Sequence, residues 1–190
     1  MGAANNSAAN TRRLADRLLL ATYSKLTTPN SKLIMTQPIP EGRSGIIPHL
    51  VLNDATAALD FYKKAFGAVE ICRMPGPDGR LMHAEMSLDD SLFMLADDFP
   101  EYCEGASRSA KTLGGTPVGL HRYVKDCDAA VKQATDAGAT VLVPPQDMFW
   151  GDRYAVVIDP FGHQWALATH VKDLTAEEME AGMSSCFQES

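Results

Sequence analysis

The clearest structural signal in this chain is the stretch Asp147-Met-Phe-Trp-Gly-Asp-Arg-Tyr-Ala-Val-Val-Ile-Asp-Pro-Phe-Gly-His-Gln-Trp-Ala-Leu-Ala-Thr-His170. Its pattern predicts four consecutive elements: an aromatic loop at 148–152, a strand at 153–158, a turn at 159–162 and a second strand at 164–169. The turn has a physical basis, because Pro160 presets φ at the first turn position and Gly162 can adopt a positive φ. The stretch is therefore predicted to be a hairpin with an aromatic loop at its entrance.

Composition places the chain among ordinary globular proteins. It has 190 residues, of which 45% are apolar and 22% charged, enough for one sizeable core or two small fused modules. The formal net charge is −7, and residues 35–190 alone contain 12 basic and 23 acidic residues. Such an acidic body argues against a nucleic-acid partner. The four cysteines show no C-x-x-C pairing, which predicts reduced thiols in a cytoplasmic protein.

The first 34 residues differ in composition from the rest, since they are rich in Asn, Ala, Ser, Thr and Arg. We expect residues 1–43 to be an unstructured N-terminal extension that carries no chemistry. The alternative for residues 1–34 is an organellar transit peptide, because they are rich in Arg and contain a single acid. Their apolar run at 18–21 is too short to span a membrane.

Two copies of one βαβββ pattern follow the extension. The first copy spans about 46–96 and the second about 118–170, with a polar linker at 97–117 between them. Apolar spacing predicts one helix in each copy, at 55–66 and at 127–137.

The start of this pattern repeats with an offset of 72 residues, since His49 precedes Asp54 by five residues and His121 precedes Asp126 by five. An internal repeat of this length is a fold-level signal. If each helix covers one face of its strands, the opposite faces stay free, and pairing them forms a cleft. We therefore predict an α+β domain at 44–175 in which two paired βαβββ modules form a concave mixed-sheet cleft.

The Asp-Pro-x-Gly hairpin resembles the last two strands of the vicinal oxygen chelate superfamily, which includes glyoxalase I, bleomycin-resistance proteins and extradiol dioxygenases. Asp-Met-Phe-Trp-Gly-Asp-Arg-Tyr together with Asp-Pro-Phe-Gly-His-x-Trp is similar, more narrowly, to the PhnB-like branch. The resemblance covers roughly residues 46–170 and implies a glyoxalase-like fold that acts on a small molecule.

Strand alternation places several metal-binding residue types on the face predicted to line the cleft. His49 and His121 occupy equivalent first strands, while His83 and Glu85 share one face of the third strand. Imidazole and carboxylate groups are the ligands expected for Zn, Ni, Fe or Mn. The candidate metal set is therefore His49, His121 and Glu85, with Glu85 also the candidate catalytic residue and the three histidines candidates for ligand binding.

This chain lacks the ligands of the metal site that is usual in the superfamily. Metal-dependent members carry a His or Gln on the first strand of each module, at positions that we align with Ile47 and Gly119, and a carboxylate on the last strand, at positions that we align with Met94 and Ala166. None of these four residues offers the usual ligand. Only a site shifted to the histidines can replace it, and the alternative is that the histidines are hydrogen-bonded structural residues.

The aromatic loop also has two interpretations. Its rings plug the end of a small core, or Trp150 and Tyr154 form one wall of a ligand pocket with Asp152 and Arg153 as polar anchors beside it. The second interpretation makes these four residues candidates for ligand binding.

Two functions follow from these alternatives. The first is a non-catalytic binder, like the bleomycin-resistance proteins, that sequesters a cationic or aromatic compound in an acidic, aromatic-lined cleft. The missing metal ligands favour it. The second is a divalent-metal-dependent lyase, isomerase or dioxygenase for a substrate with adjacent oxygens, in which Glu85 moves a proton.

Residues 176–190 form a short C-terminal tail. Thr175 followed by Glu178 matches a capping box, which predicts a short exposed helix. Its apolar face is small, so we expect the helix to contribute at most to the contacts of a homodimer.

Overall fold

The computed structural model describes residues 38–188, with side chains as far as Cys186. The chain divides into an N-terminal unit, residues 1–42, and a second unit that begins at Arg43. Residues 38–42 of the first unit form bends and a turn. The extension and the transit peptide predicted from the sequence thus lie almost wholly outside the described residues.

The βαβββ pattern is present twice in the second unit. Its elements, in chain order, are β1 (His49–Leu52), α1 (Ala55–Phe66), β2 (Val69–Pro75), β3 (Leu81–Leu88), β4 (Ser91–Asp97), α2 (Ala110–Leu113), β5 (Gly119–Tyr123), α3 (Cys127–Asp136), β6 (Thr140–Asp147), β7 (Asp152–Ile158), β8 (Gln164–His170) and α4 (Ala176–Gln188). A single 3-10 turn at Pro100–Tyr102 accompanies α2 in the linker between the two copies.

Each copy forms its own four-stranded mixed sheet. The strand orders are β1-β4-β3-β2 and β5-β8-β7-β6, so the two sheets have the same topology. In both, the first strand runs parallel to the last and the remaining pairs are antiparallel. The predicted α+β class with two glyoxalase-like βαβββ modules is confirmed.

The two helices that cover the sheets, α1 and α3, begin in the same way, as the repeat predicted. The carboxylate of Asp54 accepts the backbone N–H of Ala57, and the carboxylate of Asp126 accepts that of Ala129. At the other end, α1 stops at Gly67, which has a φ of 72° and caps the helix in the left-handed conformation.

Two strands have bounds that the repeated pattern does not specify. β1 begins at His49, three residues after the predicted start of the first copy, and β6 runs through two prolines to Asp147. Pro144 and Pro145 lack the N–H groups that a central strand needs, but β6 lies at the edge of its sheet and its register shifts between Val143 and Gln146.

The capping box predicted for the C-terminal tail is confirmed. The backbone N–H of Glu178 donates to the Thr175 hydroxyl at 3.2 Å, and the Thr175 N–H donates to the Glu178 carboxylate at 2.9 Å.

One hydrophobic core joins the two modules. Helix α1 covers the first sheet and α3 covers the second, and the two helices also contact each other. Aromatic rings from both modules meet in this core, where the Trp165 ring centroid lies 4.4 Å from that of Phe66 and 5.5 Å from that of Tyr62. The modules therefore pack through their helix-covered sides, and the other face of each sheet points away from the shared core.

The buried carboxylate of Asp159 also holds the two modules together. Asp159, from the turn between β7 and β8, accepts the Tyr62 hydroxyl at 2.8 Å and the Trp165 indole N–H at 3.0 Å. It also accepts the backbone N–H groups of Phe161 and His163, both at 2.9 Å. Burial and the adjacent carboxylate raise the pKa of Tyr62, so its hydroxyl remains a donor.

Replacing Tyr62 with Phe should therefore destabilise the protein. The change leaves the ring in the core but removes one donor from a buried carboxylate, so we expect the free energy of unfolding to fall by about 1–3 kcal/mol. Chemical denaturation measures it. Tyr102→Phe is the matched control, because Tyr102 is 62% exposed. Equal stability of Tyr62→Phe and wild type would contradict this role of Asp159.

Candidate functional site

The faces that point away from the core carry equivalent rows of side chains. In the first sheet, cross-strand pairing aligns His49, Met94, Glu85 and Cys72. In the second sheet, the same positions are held by His121, Ala166, Val156 and Val143. The two histidines thus occupy matching places, while their neighbours differ: the first row is polar and sulfur-containing, and the second is apolar.

This register also bears on the alignment with metal-dependent proteins. The residues paired with Met94 and Ala166 are His49 and His121, whereas Ile47 precedes the strand and Gly119 pairs with Gln164. The histidines thus lie beside the two last-strand positions, which carry no carboxylate in this chain. The alignment of Ile47 and Gly119 with the first-strand ligands stays a prediction.

Glu85 is the centre of a charged cluster on the first sheet. Both of its oxygens accept hydrogen bonds from the Arg43 guanidinium, at 2.5 Å each, and one also contacts the His83 ring at 3.0 Å. The Arg43 hydrogen bonds outweigh burial and lower the pKa of Glu85 to about 2. A carboxylate that is this acidic is a poor proton acceptor near neutral pH, which weakens the case for Glu85 as a catalytic base.

His49 lies next to this cluster, with its ring centroid 6.3 Å from that of His83. Burial, followed by the charges of His83 and Arg108, lowers the pKa of His49. The ring is therefore neutral at physiological pH.

Three side chains of the first sheet are spaced as metal ligands would be. Within residues 38–188 the one group whose ligand atoms all lie within 4.8 Å of one another is Cys72, His83 and Glu85. Sequence reasoning missed Cys72, although it pairs directly with Glu85 across β2 and β3. The set named from the sequence spans both sheets, with His49 and Glu85 on the first and His121 on the second, and it stays a prediction.

The group fits a divalent ion poorly. Arg43 already donates to both oxygens of Glu85, which places a cation where the metal would bind. Burial and the neighbouring carboxylate also raise the pKa of the Cys72 thiol, whereas a metal ligand must be the thiolate. Cys72, His83 and Glu85 therefore do not form a ready site for a divalent ion.

The open face of the second sheet carries an aromatic cluster. The His121 ring centroid lies 4.9 Å from that of Tyr123 and 6.1 Å from that of Tyr154, and Trp150 lies 5.7 Å from Tyr154. Tyr123 is 61% exposed, and His121 is also exposed. His121 and Tyr123 are therefore accessible on this face, whereas Trp150 and Tyr154 are half-buried.

The buried carboxylate of Asp152 binds two rings of this cluster through hydrogen bonds. It is 3% exposed and accepts hydrogen bonds from the Tyr123 hydroxyl, the Trp150 indole N–H and the His170 ring, at 2.9, 3.1 and 2.8 Å. Burial alone would raise its pKa, but the hydrogen bonds from His170, Tyr123 and Trp150 hold the pKa of Asp152 below its ordinary value. It thus supplies a buried negative charge that orients two of the rings.

Arg153 takes no part in the cluster. It follows Asp152 along β7, so its side chain points to the opposite face, where it pairs with Asp128 of α3 and with Asp147. Sequence reasoning could not separate the two neighbours, because both are charged and both follow the aromatic loop.

None of the helices between residues 38 and 188 combines the length and apolar character that a transmembrane segment requires.

Known proteins share this fold and part of this sequence. A family model described as Glyoxalase/Bleomycin resistance protein/Dioxygenase superfamily matches residues 46–167. The chain is 51% identical over 138 residues to the uncharacterized protein Mb0911c of Mycobacterium bovis, which covers 73% of this chain and 91% of that protein. It is 32% identical over 133 residues to the uncharacterized protein At5g48480 of Arabidopsis thaliana, covering 65% and 76% of the two chains.

Solved structures of other proteins have the same fold. The X-ray structure of the Arabidopsis gene product has 29% identity and a TM-score of 0.54, covering 66% of this chain and 98% of that one. The crystal structure of TioX from Micromonospora sp. ML1 has 27% identity and a TM-score of 0.51, covering 67% and 99%.

Replacing Arg43 with Gln should raise the pKa of Glu85 from about 2 toward its ordinary value of 4.5. A carboxylate with a lowered pKa stabilises the fold above its unfolded pKa, and this contribution disappears as pH falls through the folded value. The wild-type protein should therefore lose this stabilisation between about pH 4.5 and 2. In the variant, the free energy of unfolding should depend less strongly on pH over that window. Carboxyl NMR titration and unfolding at several pH values measure both effects. Arg73→Gln, which breaks the pair with Glu70 instead, should leave Glu85 unchanged.

Proposed function

Since the chain belongs to the Glyoxalase/Bleomycin resistance protein/Dioxygenase superfamily, we propose that it is a small-molecule-binding member of the PhnB-like type. Its ligand is an aromatic or cationic compound, held on the aromatic face of the second sheet without a metal. The observation that carries the proposal is the ring cluster of the exposed His121 and Tyr123 and the half-buried Trp150 and Tyr154, next to a buried Asp152.

The chemistry of this cluster matches a flat cation. Ring faces attract cations through their quadrupoles, by about 0.5–2 kcal/mol for each contact. The charge of Asp152 lies directly beneath, and the net charge of −7 adds a long-range attraction for positive ligands. Because the hydrogen bonds of Asp152 fix Trp150 and Tyr123 before any ligand arrives, little ordering is needed on binding.

A homodimer would complete the cleft. Each chain presents a polar face and an aromatic face on two separate sheets, and both point away from the shared core. A two-fold pair of chains can set the polar face of one copy against the aromatic face of the other, which forms two equal clefts. Ile46 and Val118, which precede β1 and β5, are 97% and 64% exposed and offer apolar area for such contacts.

The second candidate function is a metal-dependent lyase, isomerase or dioxygenase. The spacing of Cys72, His83 and Glu85 favours it, because thiolate, imidazole and carboxylate are ligands of zinc. The ion pair with Arg43 weighs against it, so we rank it below the metal-free binder.

The aromatic site can be tested with ethidium, a flat aromatic cation. Trp150→Ala should weaken ethidium binding by about 1–3 kcal/mol, roughly 5- to 150-fold in Kd, because one wall of the site is lost. Fluorescence titration measures Kd. Trp150→Phe keeps a ring and should retain most of the affinity. Tyr102→Ala, an exposed aromatic outside the cluster, is the control and should bind like wild type. No ethidium binding to wild type, or equal binding to Trp150→Ala, would reject the proposed site.

Metal analysis separates the two candidate functions. Protein purified from metal-supplemented medium should contain no Zn, Ni, Mn or Fe above background, and replacing His49 and His121 with Ala should not change this result. A content of close to one metal ion per chain would overturn the metal-free proposal. Loss of the ion on replacing Cys72 would identify the set Cys72, His83 and Glu85, and loss on replacing the two histidines would identify the set that includes them.

A further inference from the structure

A separate cavity lies beneath the linker between the modules. Its volume is about 360 Å³, and β1, the linker after Arg108 and the first residues of β5 enclose it. Most of its lining is apolar and includes Leu50, Leu113 and Leu120. Ligand pockets in proteins begin at about 300 Å³, so the cavity has room for a small organic molecule.

The linker segment that borders this cavity is held in place at its start. Asp98 accepts the backbone N–H groups of Arg108, at 3.1 Å, and of Ser109, at 3.3 Å. Helix α2 then packs against the turn at Gly162, where a Cβ atom would lie 2.9 Å from the backbone nitrogen of Lys111. The side of the cavity formed by residues 108–111 is therefore fixed by contacts within the chain.

Arg108 supplies a positive charge at this cavity, and no lining residue is acidic. Throughout residues 38–188, no carboxylate pairs with the Arg108 guanidinium. Arg108 is exposed, so its guanidinium is accessible at the mouth of the cavity, where it favours an anion over a cation.

His163 forms part of the cavity wall through its ring. The residue is 7% exposed, and its Nε2 atom is itself buried, without a hydrogen-bond partner in the described part of the chain. A molecule in the cavity therefore meets the ring of His163 as a packing surface and does not reach Nε2.

We propose that this cavity binds an organic anion, a carboxylate with a short apolar body. Arg108 pairs with the carboxylate at the mouth, and the leucines and the His163 ring contact the hydrocarbon part. The site is distinct from the aromatic face, since neither Trp150 nor Tyr154 lines the cavity. It thus goes beyond the proposed binding of an aromatic cation.

Octanoate is a suitable probe, with 1-octanol and octylammonium as its neutral and cationic counterparts. By calorimetry, wild type should bind octanoate more tightly than either counterpart. Arg108→Gln should weaken octanoate binding by roughly tenfold or more, the scale of a lost charged hydrogen bond. Binding of 1-octanol should be the same in both proteins, because the apolar walls are unchanged.

Two further variants make the test specific. Lys111→Gln removes a positive charge from the same linker but from a residue that does not line the cavity, so its octanoate affinity should equal that of wild type. His163→Phe keeps an aromatic ring in the cavity wall, and its octanoate affinity should stay close to that of wild type, because Nε2 does not contact the ligand. The proposal fails if wild type does not bind octanoate, or if Arg108→Gln and Lys111→Gln have the same effect. Ethidium binding should be unchanged in Arg108→Gln, so this result is separate from that of the aromatic site.

Discussion

The buried carboxylate of Asp159 is the constraint on which the rest of the structure depends. It closes the turn between β7 and β8 through two backbone N–H groups and, at the same time, accepts hydrogen bonds from Tyr62 and Trp165. Because Tyr62 belongs to α1, a residue of the second module is tied to the helix of the first. A charge buried this deeply requires all of these donors, so the arrangement tolerates little change.

This contact determines where function can reside. The helix-covered sides of both modules pack in the shared core, so the residues that the family resemblance predicts to bind a ligand lie on the outward faces of two separate sheets. Each face holds half of the groups that the family resemblance would place in one cleft. The homodimer proposed above would bring a polar face and an aromatic face together.

The repeated framework supports two different chemistries. At equivalent positions the first sheet has Glu85 and the second has Val156, so one face holds an ion pair with Arg43 while the other is apolar and bordered by aromatic rings. Identical strand order thus fixes the positions of side chains without fixing their roles. The histidines are the common feature, yet their neighbours differ: His49 lies beside charged groups and His121 beside tyrosines.

The sequence by itself determined the two βαβββ modules, both long helices and the hairpin at the Asp-Pro-Phe-Gly turn, because periodicity, caps and turn residues are local signals. It also determined which faces carry His49, His83, Glu85 and His121. Only the tertiary structure decided what surrounds them. Arg43 reaches Glu85 from 42 positions away, Arg153 turns toward Asp128, and His163 lies buried at a cavity beneath the linker. Such partners are distant in sequence and depend on packing, which no local pattern encodes.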